Sequence, residues 1–241
     1  MLMSEITPKD IELPSDTASN SRLNSLRAAV LGANDGIVST ASVVMGVAGA
    51  TSDRPAIIIA GLAALVAGAL SMAVGEYVSV SSQADAERAY IAEEKDDLRE
   101  RASEELEELT REYQKLGVSR GTAEKVADEL TSHDALKAHL RIHFNLDPSD
   151  INNPWQAGMA SLIAFTIGGA VPVLAIISTP DDWHIWSTVF AVLIALIITG
   201  LLSALATRSS RLRAIIRVLI GGVIAMAITY FIGKLFGVVA G

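Results

Sequence analysis

AIIIAGLAALVAGALSMAVGEYVSV, residues 56–80, decides the fold class, because Glu76 is its single charged side chain. A helix crosses the hydrocarbon core of a bilayer in roughly 20 apolar residues. Four other apolar blocks are equally long, and the predicted spans are about 27–50, 56–80, 157–178, 185–206 and 214–239. The sequence therefore predicts an all-α protein, a five-span membrane helical bundle with a three-helix cytoplasmic insert between spans two and three.

The composition of the 241 residues agrees with a membrane protein and excludes several chemistries. Mean hydropathy is +0.41, and the absence of cysteine removes disulfides, thiolate ligands and thiol nucleophiles together. No Walker motif is present, so transport would be driven by a gradient and not by nucleotide hydrolysis. The spans contain nothing that resembles a soluble catalytic site, and we expect neither an enzyme nor a prosthetic group.

The charge pattern divides the chain into four segments. Residues 1–22 are polar and read as a disordered N-terminal tail, followed by spans one and two in 23–80, the insert in 81–155, and spans three to five in 156–241. Four arginines, the last of them Arg217, lie in the loop before the fifth span or one turn into it. The positive-inside rule puts that loop, the insert and the N-terminus in the cytoplasm.

The insert holds the whole net charge of the chain. From Ala84 to Asp150 there are 18 acidic residues and 10 Lys or Arg, a net of −8, and the full chain also carries −8. We expect three helices there, at about 82–115, 120–130 and 132–144. An acidic surface disfavours nucleic acid and anionic lipid and concentrates cations, although a merely solvated helical face has the same composition.

Four acidic residues of the insert have a spacing of 3, 8 and 3: Glu94, Asp97, Glu105 and Glu108. Eleven residues of helix end about 20° from a whole number of turns, so all four lie near one stripe if the helix is continuous. Arg101 falls on the same stripe and can neutralise part of it. The remaining repulsion favours a bound divalent cation.

Two histidines, His139 and His143, lie four residues apart in the last predicted helix of the insert. This spacing places both imidazoles on one helical face, about 6 Å apart at Cβ. Neutral imidazole suits Fe²⁺, Zn²⁺ and Mn²⁺ better than Mg²⁺ or Ca²⁺. The pair is a candidate extension of the metal site, and the alternative is an incidental pair without a ligand role.

Three side chains within the predicted spans are suited to binding a cation: Asp35, Met72 and Glu76. A carboxylate in hydrocarbon is costly and usually faces a cavity or a partner, and a thioether favours transition metals. We interpret Asp35 as a cation ligand or proton carrier. The alternatives are a structural hydrogen bond to Asn34, a Glu76 that snorkels to the interface, and a Met72 that fills a gap.

Small residues recur every four positions along both of the first two spans. They are Ala60, Ala64 and Gly68 in span two, and Ala28, Gly32, Gly36 and Thr40 in span one. Such faces let helices approach closely. Close packing of spans one and two would bring the three membrane ligands around one cavity, and the same faces are candidates for a homodimer interface.

Three segments of the sequence resemble the vacuolar iron transporter family: NDGIVSTASVVMGVAGA (34–50), SMAVGEYVSVSSQADAERA (71–89) and VADELTSHDALKAHLRIHFNLDP (126–148). The third is similar to the end of the insert in bacterial-type members. The resemblance extends in the same order over about 22–240. It implies a five-span homodimer that moves Fe²⁺, and often Mn²⁺, out of the cytosol in exchange for protons, with a metal-binding insert.

The resemblance also implies roles for individual residues. Asp35 and Met72 match positions that line the family's translocation path, and Glu76 belongs to the same motif. The four acidic residues match four glutamates of the family's insert, with Asp97 one methylene shorter. His139 and His143 stand where the family has a methionine and a glutamate, a departure that would change metal preference or make binding depend on pH.

We therefore predict an exporter of Fe²⁺ that also accepts Mn²⁺ or Zn²⁺ and works by proton antiport. Its partners are transition-metal cations, protons, the lipid bilayer and a second copy of the chain. It would lie in the cell inner membrane of a bacterium or the vacuolar membrane of a eukaryote. The alternatives are a membrane-anchored iron-binding, ferroxidase-like protein, whose repeated Glu-x-x-His motif is absent, and a purely structural membrane protein.

Overall fold

The computed structural model describes residues 16–149, 151–180, 182–207 and 209–240, without the side chains of 16–28 and 238–240. These residues form seven helices and no strand, which confirms the all-α prediction. The helices are α1 (Asp16–Ala50), α2 (Arg54–Glu100), α3 (Ala102–Lys115), α4 (Arg120–Phe144), α5 (Pro154–Ser178), α6 (His184–Thr207) and α7 (Arg211–Ala240). Helix α1 begins inside the predicted tail 1–22, of which residues 1–15 lie outside the described residues.

Five helices are long and apolar enough to cross a membrane, and they match the five predicted spans. They are Ala29–Ala50 within α1, all of α2, α5 and α6, and Arg211–Gly237 within α7. The protein is therefore an integral membrane protein. With its 47 residues, α2 is about 70 Å long, more than twice the hydrocarbon thickness of about 30 Å. Much of it must extend beyond the hydrocarbon.

The described chain divides into two units. The first comprises the described parts of Met1–Gly75 and Gly158–Gly241, and the second is Glu76–Ala157. In the first unit α1 packs against α6 and α7, which also pack against each other. Its main core cluster consists of Ile37, Ala41, Met45, Val192, Leu196 and Met226. Helix α1 is thus the central helix of this unit.

Arg54 ties the beginning of α2 to the end of α5 in the first unit. Its Nη2 donates to the carbonyl oxygens of Ile176 and Ile177 at 3.0 and 2.9 Å, and to that of Thr179 at 2.5 Å. The last carbonyls of a helix lack intrahelical partners and carry partial negative charge, so a guanidinium there both satisfies and neutralises them.

The small faces of the first two spans contact α5 within the chain, and their role as a dimer interface stays a prediction. A Cβ added at Gly36 would lie 2.2 Å from the carbonyl oxygen of Phe165, and one at Gly68 would lie 2.3 Å from the Phe165 ring. A Cβ at Gly168 would lie 2.0 Å from the carbonyl oxygen of Ala33. The small residues therefore let α5 approach α1 and α2 closely.

We predict that Gly36→Ala destabilises the first unit, because the new methyl group meets rigid backbone and not a flexible side chain. Overpacking of this kind costs about 1–3 kcal/mol. The matched control is Gly75→Ala, where an added Cβ has no neighbour within 4 Å among the described residues. Thermal melts in detergent should show a lower midpoint for Gly36→Ala alone. Equal midpoints for the two variants would contradict this packing.

In the second unit the predicted helix 82–115 is two helices, and this prediction is wrong. Helix α2 runs on from the membrane span to Glu100, Arg101 leaves the helical conformation (φ −132°, ψ 35°), and α3 begins at Ala102. Helix α3 then packs on α4. The predicted helices 120–130 and 132–144 correspond to two helical segments of α4, which meet at a kink where Asp134 is non-helical (φ −162°, ψ 90°).

Candidate metal sites

Asp35 and Met72 line one cavity of about 360 Å³ in the first unit. Met72 lies over α1, since a Cβ at Gly32 would be 3.5 Å from its Cε and 3.7 Å from its Sδ. The other lining residues are Ser39, Val43, Ala64, Gly68, Ser71 and Phe165. The structure thus brings together two of the three predicted membrane ligands, a carboxylate and a thioether.

The carboxylate of Asp35 is held by a serine and not by its neighbour in sequence. Ser39 Oγ donates to Asp35 Oδ1 at 2.7 Å, whereas Asn34 Oδ1 is buried without a hydrogen bond among the described residues. Ser39 and Ser71 line the cavity, and sequence reasoning missed both. The available signal for Ser39 was its position one helical turn after Asp35, on the same face.

Glu76, the third predicted membrane ligand, is the first residue of the second unit. It lies on α2, one turn after Met72, and is half-buried. Its position at the end of the apolar run is compatible with either of the two interpretations offered for it, a ligand or a carboxylate at the membrane surface.

A buried cluster in the second unit brings together Glu94 of α2, Glu105 of α3 and His139 of α4. Their exposed fractions are 8%, 7% and 0%. His139 Nδ1 lies 2.9 Å from Glu94 Oε1 and 3.6 Å from Glu105 Oε2. One potential ligand atom from each residue lies within 4.8 Å of the other two. We call these three residues the insert cluster.

The potential ligand atoms of the insert cluster are poorly satisfied by the protein itself. Despite the 2.9 Å approach, neither Glu94 Oε1 nor any nitrogen of His139 makes a hydrogen bond of acceptable geometry among the described residues. Buried polar atoms without partners are rare and costly. Two carboxylates and one imidazole that converge in this way can hold a divalent transition-metal ion.

The break at Arg101 explains how Glu94 and Glu105 meet. In a continuous helix, 11 residues would separate them by about 16 Å along the axis, too far to share one ion. Because α2 ends and α3 begins there, the two carboxylates instead face the same imidazole. Glu94 and Glu105 therefore meet because the chain turns at Arg101, and not because they lie on a common stripe of one helix.

The other predicted ligands surround the insert cluster without joining it. Asp97 is paired with Arg101, as expected from their common stripe. His143 Nε2 lies 3.9 Å from Glu108 Oε1, and its ring centroid lies 5.6 Å from that of His139. The imidazole pair therefore lies on one face of α4 as the i, i+4 spacing predicted, with only His139 in the cluster.

Burial shifts the pKa of each member of the insert cluster. It raises the pKa of Glu94 and of Glu105 above the ordinary 4.5, and the negative charges of Asp97 and Glu108 raise both further. Burial, followed by the neighbouring charge of His143, lowers the pKa of His139 below 6.5. At neutral pH His139 is therefore an uncharged imidazole, with one ring nitrogen whose lone pair is available to a metal.

Comparison with known proteins gives consistent matches over most of the chain. The model of a family described as the VIT family matches residues 26–234. The vacuolar iron transporter of Acanthamoeba castellanii is 43% identical over 211 residues, covering 87% of this chain and 78% of that protein. Vacuolar iron transporter homolog 2 of Arabidopsis thaliana is 39% identical over 233 residues, covering 96% and 94%. VIT-like transporter 1b of Glycine max is 34% identical over 213 residues, covering 88% and 76%.

Proposed function

Because the chain belongs to the VIT family, we propose that it exports Fe²⁺ from the cytosol in exchange for protons and accepts Mn²⁺ as a second substrate. As a member of this family it is a membrane transporter of metal ions and not an enzyme, which removes the ferroxidase-like alternative. Iron as the ion agrees with the names of its relatives.

The observation that carries the proposal is the donor set of the insert cluster. Glu94 and Glu105 offer carboxylate oxygens, and His139 offers a neutral imidazole nitrogen. Mg²⁺ and Ca²⁺ prefer oxygen ligands alone, whereas Fe²⁺, Mn²⁺ and Zn²⁺ accept this mixture. A cluster of this composition supports selection of a transition metal over the more abundant hard cations, with Zn²⁺ as a competing ion.

The cavity in the first unit supports passage of the same ions through the membrane. The Asp35 carboxylate supplies negative charge to an ion stripped of water, and the Met72 thioether adds a soft donor that Mg²⁺ and Ca²⁺ do not use. In the proposed sequence of events the insert cluster collects the ion, Glu76 and Met72 pass it on, and Asp35 binds it in the membrane. Protonation of carboxylates on the far side releases it.

The proposed orientation puts the N-terminus and the insert in the cytoplasm. The support is the set of arginines around the beginning of α7 together with the negative charge of the insert, which attracts cations before transport. The membrane would be the cell inner membrane in a bacterium and the vacuolar membrane in a eukaryote. A homodimer along the small-residue faces of spans one and two remains part of the proposal.

Metal binding at the insert cluster is expected to strengthen as pH rises. The raised pKa values of Glu94 and Glu105 keep protons on these carboxyls above pH 4.5, and protons compete with the metal. Burial lowers the pKa of His139, so protons compete with the metal for this imidazole less than they would for an exposed one. Without metal, a raised carboxyl pKa contributes stability below pH 4.5 that is lost as pH rises through the folded-state value.

The measurement is the thermal midpoint of the full chain in detergent, with and without Mn²⁺, at pH 5 and pH 7.5. Mn²⁺ at 100 times its dissociation constant should add about 2.7 kcal/mol of stability at pH 7.5. The increment should be much smaller at pH 5. An equal increment at both values would contradict coupling between metal and proton at these carboxyls.

The proposed transport is tested by metal uptake into proteoliposomes that contain the full chain. Fe²⁺ kept reduced, and Mn²⁺ separately, should enter faster than in protein-free vesicles. An excess of Zn²⁺ should slow both, and the same excess of Mg²⁺ should not. Uptake that Mg²⁺ suppresses as strongly as Zn²⁺, or no uptake above the protein-free rate, would overturn the proposal.

A further inference from the structure

The outer surface of α7 carries a stripe of side chains to which neither the metal sites nor the packing of the helices assigns a role. Its five members have a spacing of 4, 3, 4 and 4: Arg213, Arg217, Ile220, Ile224 and Ile228. At 100° per residue they lie within an arc of about 80°. All five are exposed, the three isoleucines by 54%, 51% and 54%. We call these five residues the α7 stripe.

The two arginines of the α7 stripe lack a counter-ion. Within the described ranges neither guanidinium makes an ion pair or a hydrogen bond, in contrast to Arg54, which binds carbonyl oxygens at the end of α5. Neither α6 nor α7 contains a carboxylate. Because Arg213 and Arg217 are four residues apart, their Cβ atoms are about 6 Å apart. Two guanidinium groups at that separation can bind one phosphate, which arginine contacts through paired N–H groups.

The position of the α7 stripe along the helix matches one leaflet of a bilayer. Arg217 is the last charged residue before 16 uncharged ones, which end at Lys234, so it lies where α7 enters the hydrocarbon. From Arg217 to Ile228 the helix rises about 17 Å, close to half of a hydrocarbon thickness of about 30 Å. The isoleucines therefore extend about as far from the arginines as an acyl chain extends from its headgroup.

Gly221 opens a notch in the helix surface beside the stripe. It is exposed, it lies one turn after Arg217, and an added Cβ has no neighbour within 4 Å among the described residues. The adjacent Gly222 is different, because its Cβ would lie 2.4 Å from Leu196 Cδ1. Glycine weakens a helix relative to alanine, and close packing within the chain explains Gly222 but not Gly221. The notch leaves room for a molecule that approaches from the bilayer.

We propose that the α7 stripe binds one anionic phospholipid, whose phosphate lies between Arg213 and Arg217 and whose acyl chain follows the isoleucines past Gly221. A paired positive charge at the membrane surface above an exposed apolar stripe is complementary to such a lipid in both charge and depth. The positive-inside rule does not account for the arrangement, since it depends on the number of Lys and Arg residues and not on the helical face that carries them.

The test titrates the full chain, in micelles of a neutral detergent, with phosphatidylglycerol and separately with phosphatidylcholine. A lipid that binds the folded protein raises its thermal midpoint, so the mole fraction of lipid at half-maximal rise measures affinity. We expect phosphatidylglycerol to bind about tenfold more tightly than phosphatidylcholine. Arg213→Gln and Arg217→Gln should each weaken binding of phosphatidylglycerol about fivefold, with the lipid-free midpoint unchanged because both side chains are exposed.

Two further variants separate the site from its general properties. Arg211→Gln is the matched control, because Arg211 is also exposed and lies about 120° around the helix from Arg217. It lowers the charge equally and should bind phosphatidylglycerol like wild type. Gly221→Leu keeps every charge and fills the notch, and it should weaken binding of both lipids.

Several results would overturn the inference. Weakening by Arg211→Gln as large as by Arg217→Gln indicates a general effect of surface charge. Equal affinity for the two lipids excludes a site for an anionic headgroup. A rise of the midpoint with inorganic phosphate as large as with phosphatidylglycerol makes the arginines a site for a free anion and not for a lipid. Wild-type binding by a folded Gly221→Leu contradicts the placement of the acyl chain, and the arginine variants decide the question if that variant does not fold.

Discussion

Replacement of Glu94 by Gln is expected to abolish high-affinity metal binding at the insert cluster. The substitution keeps the size of the side chain but removes one of two carboxylate charges from a buried set of three ligands. An amide oxygen is a weaker ligand, and its NH₂ group would point a donor towards His139 or the ion. Mutation of a residue that only contacts a metal ligand typically lowers metal affinity about 10–100-fold. Because Glu94 is itself a proposed ligand, we expect its replacement to lower metal affinity by about 100-fold or more.

Calorimetric titration of the full chain with Mn²⁺ in detergent measures this effect. Glu93→Gln is the matched control, because it makes the same chemical change one residue earlier on an exposed face. The control should bind like wild type and should melt at the same temperature as Glu94→Gln without metal, within a few degrees. Binding by Glu94→Gln within twofold of wild type would contradict the assignment of the cluster as the high-affinity site.

Replacement of Asp35 by Asn is expected to stop transport while leaving Mn²⁺ binding at the insert cluster intact. Asn has nearly the shape of Asp and can still accept the hydrogen bond from Ser39, so the cavity should keep its form. The negative charge that offsets dehydration of a divalent ion is lost. We expect uptake to fall by about 100-fold, equivalent to about 2.7 kcal/mol in the barrier.

Uptake into proteoliposomes and calorimetric binding should be measured on the same preparation of Asp35→Asn. The control is Asp53→Asn, which changes an exposed carboxylate in the connection between α1 and α2. Normal uptake by Asp35→Asn would make the cavity irrelevant to transport. Parallel loss of uptake and cluster binding would point to a general folding defect and remove the evidence for a separate membrane site.

The five spans were predictable because long apolar runs leave few alternatives to a membrane helix. The break at Arg101 was not, since the residues around it have ordinary helical character and the 3, 8, 3 spacing fits a continuous helix equally well. Beyond the break α3 packs on α4, a tertiary contact that no local pattern contains.

The sequence also could not identify the helix that packs against the small faces. Gly36 and Gly68 correctly indicated close approach, but both meet α5, at Phe165. A stripe of glycines indicates that another helix approaches closely, but it does not identify that helix. Likewise, the carboxylate stripe and the histidine pair were recognised separately, and only the fold shows that Glu94 and Glu105 converge on His139.

Proton antiport requires that metal moves one way across the membrane while protons move the other. We would test it with proteoliposomes that enclose a pH-sensitive dye, recording Fe²⁺ entry and internal pH together. With proton antiport, Fe²⁺ entry should make the interior more alkaline, and an acid interior imposed beforehand should accelerate entry. Fe²⁺ entry with no change of internal pH and no response to an imposed gradient would contradict proton antiport.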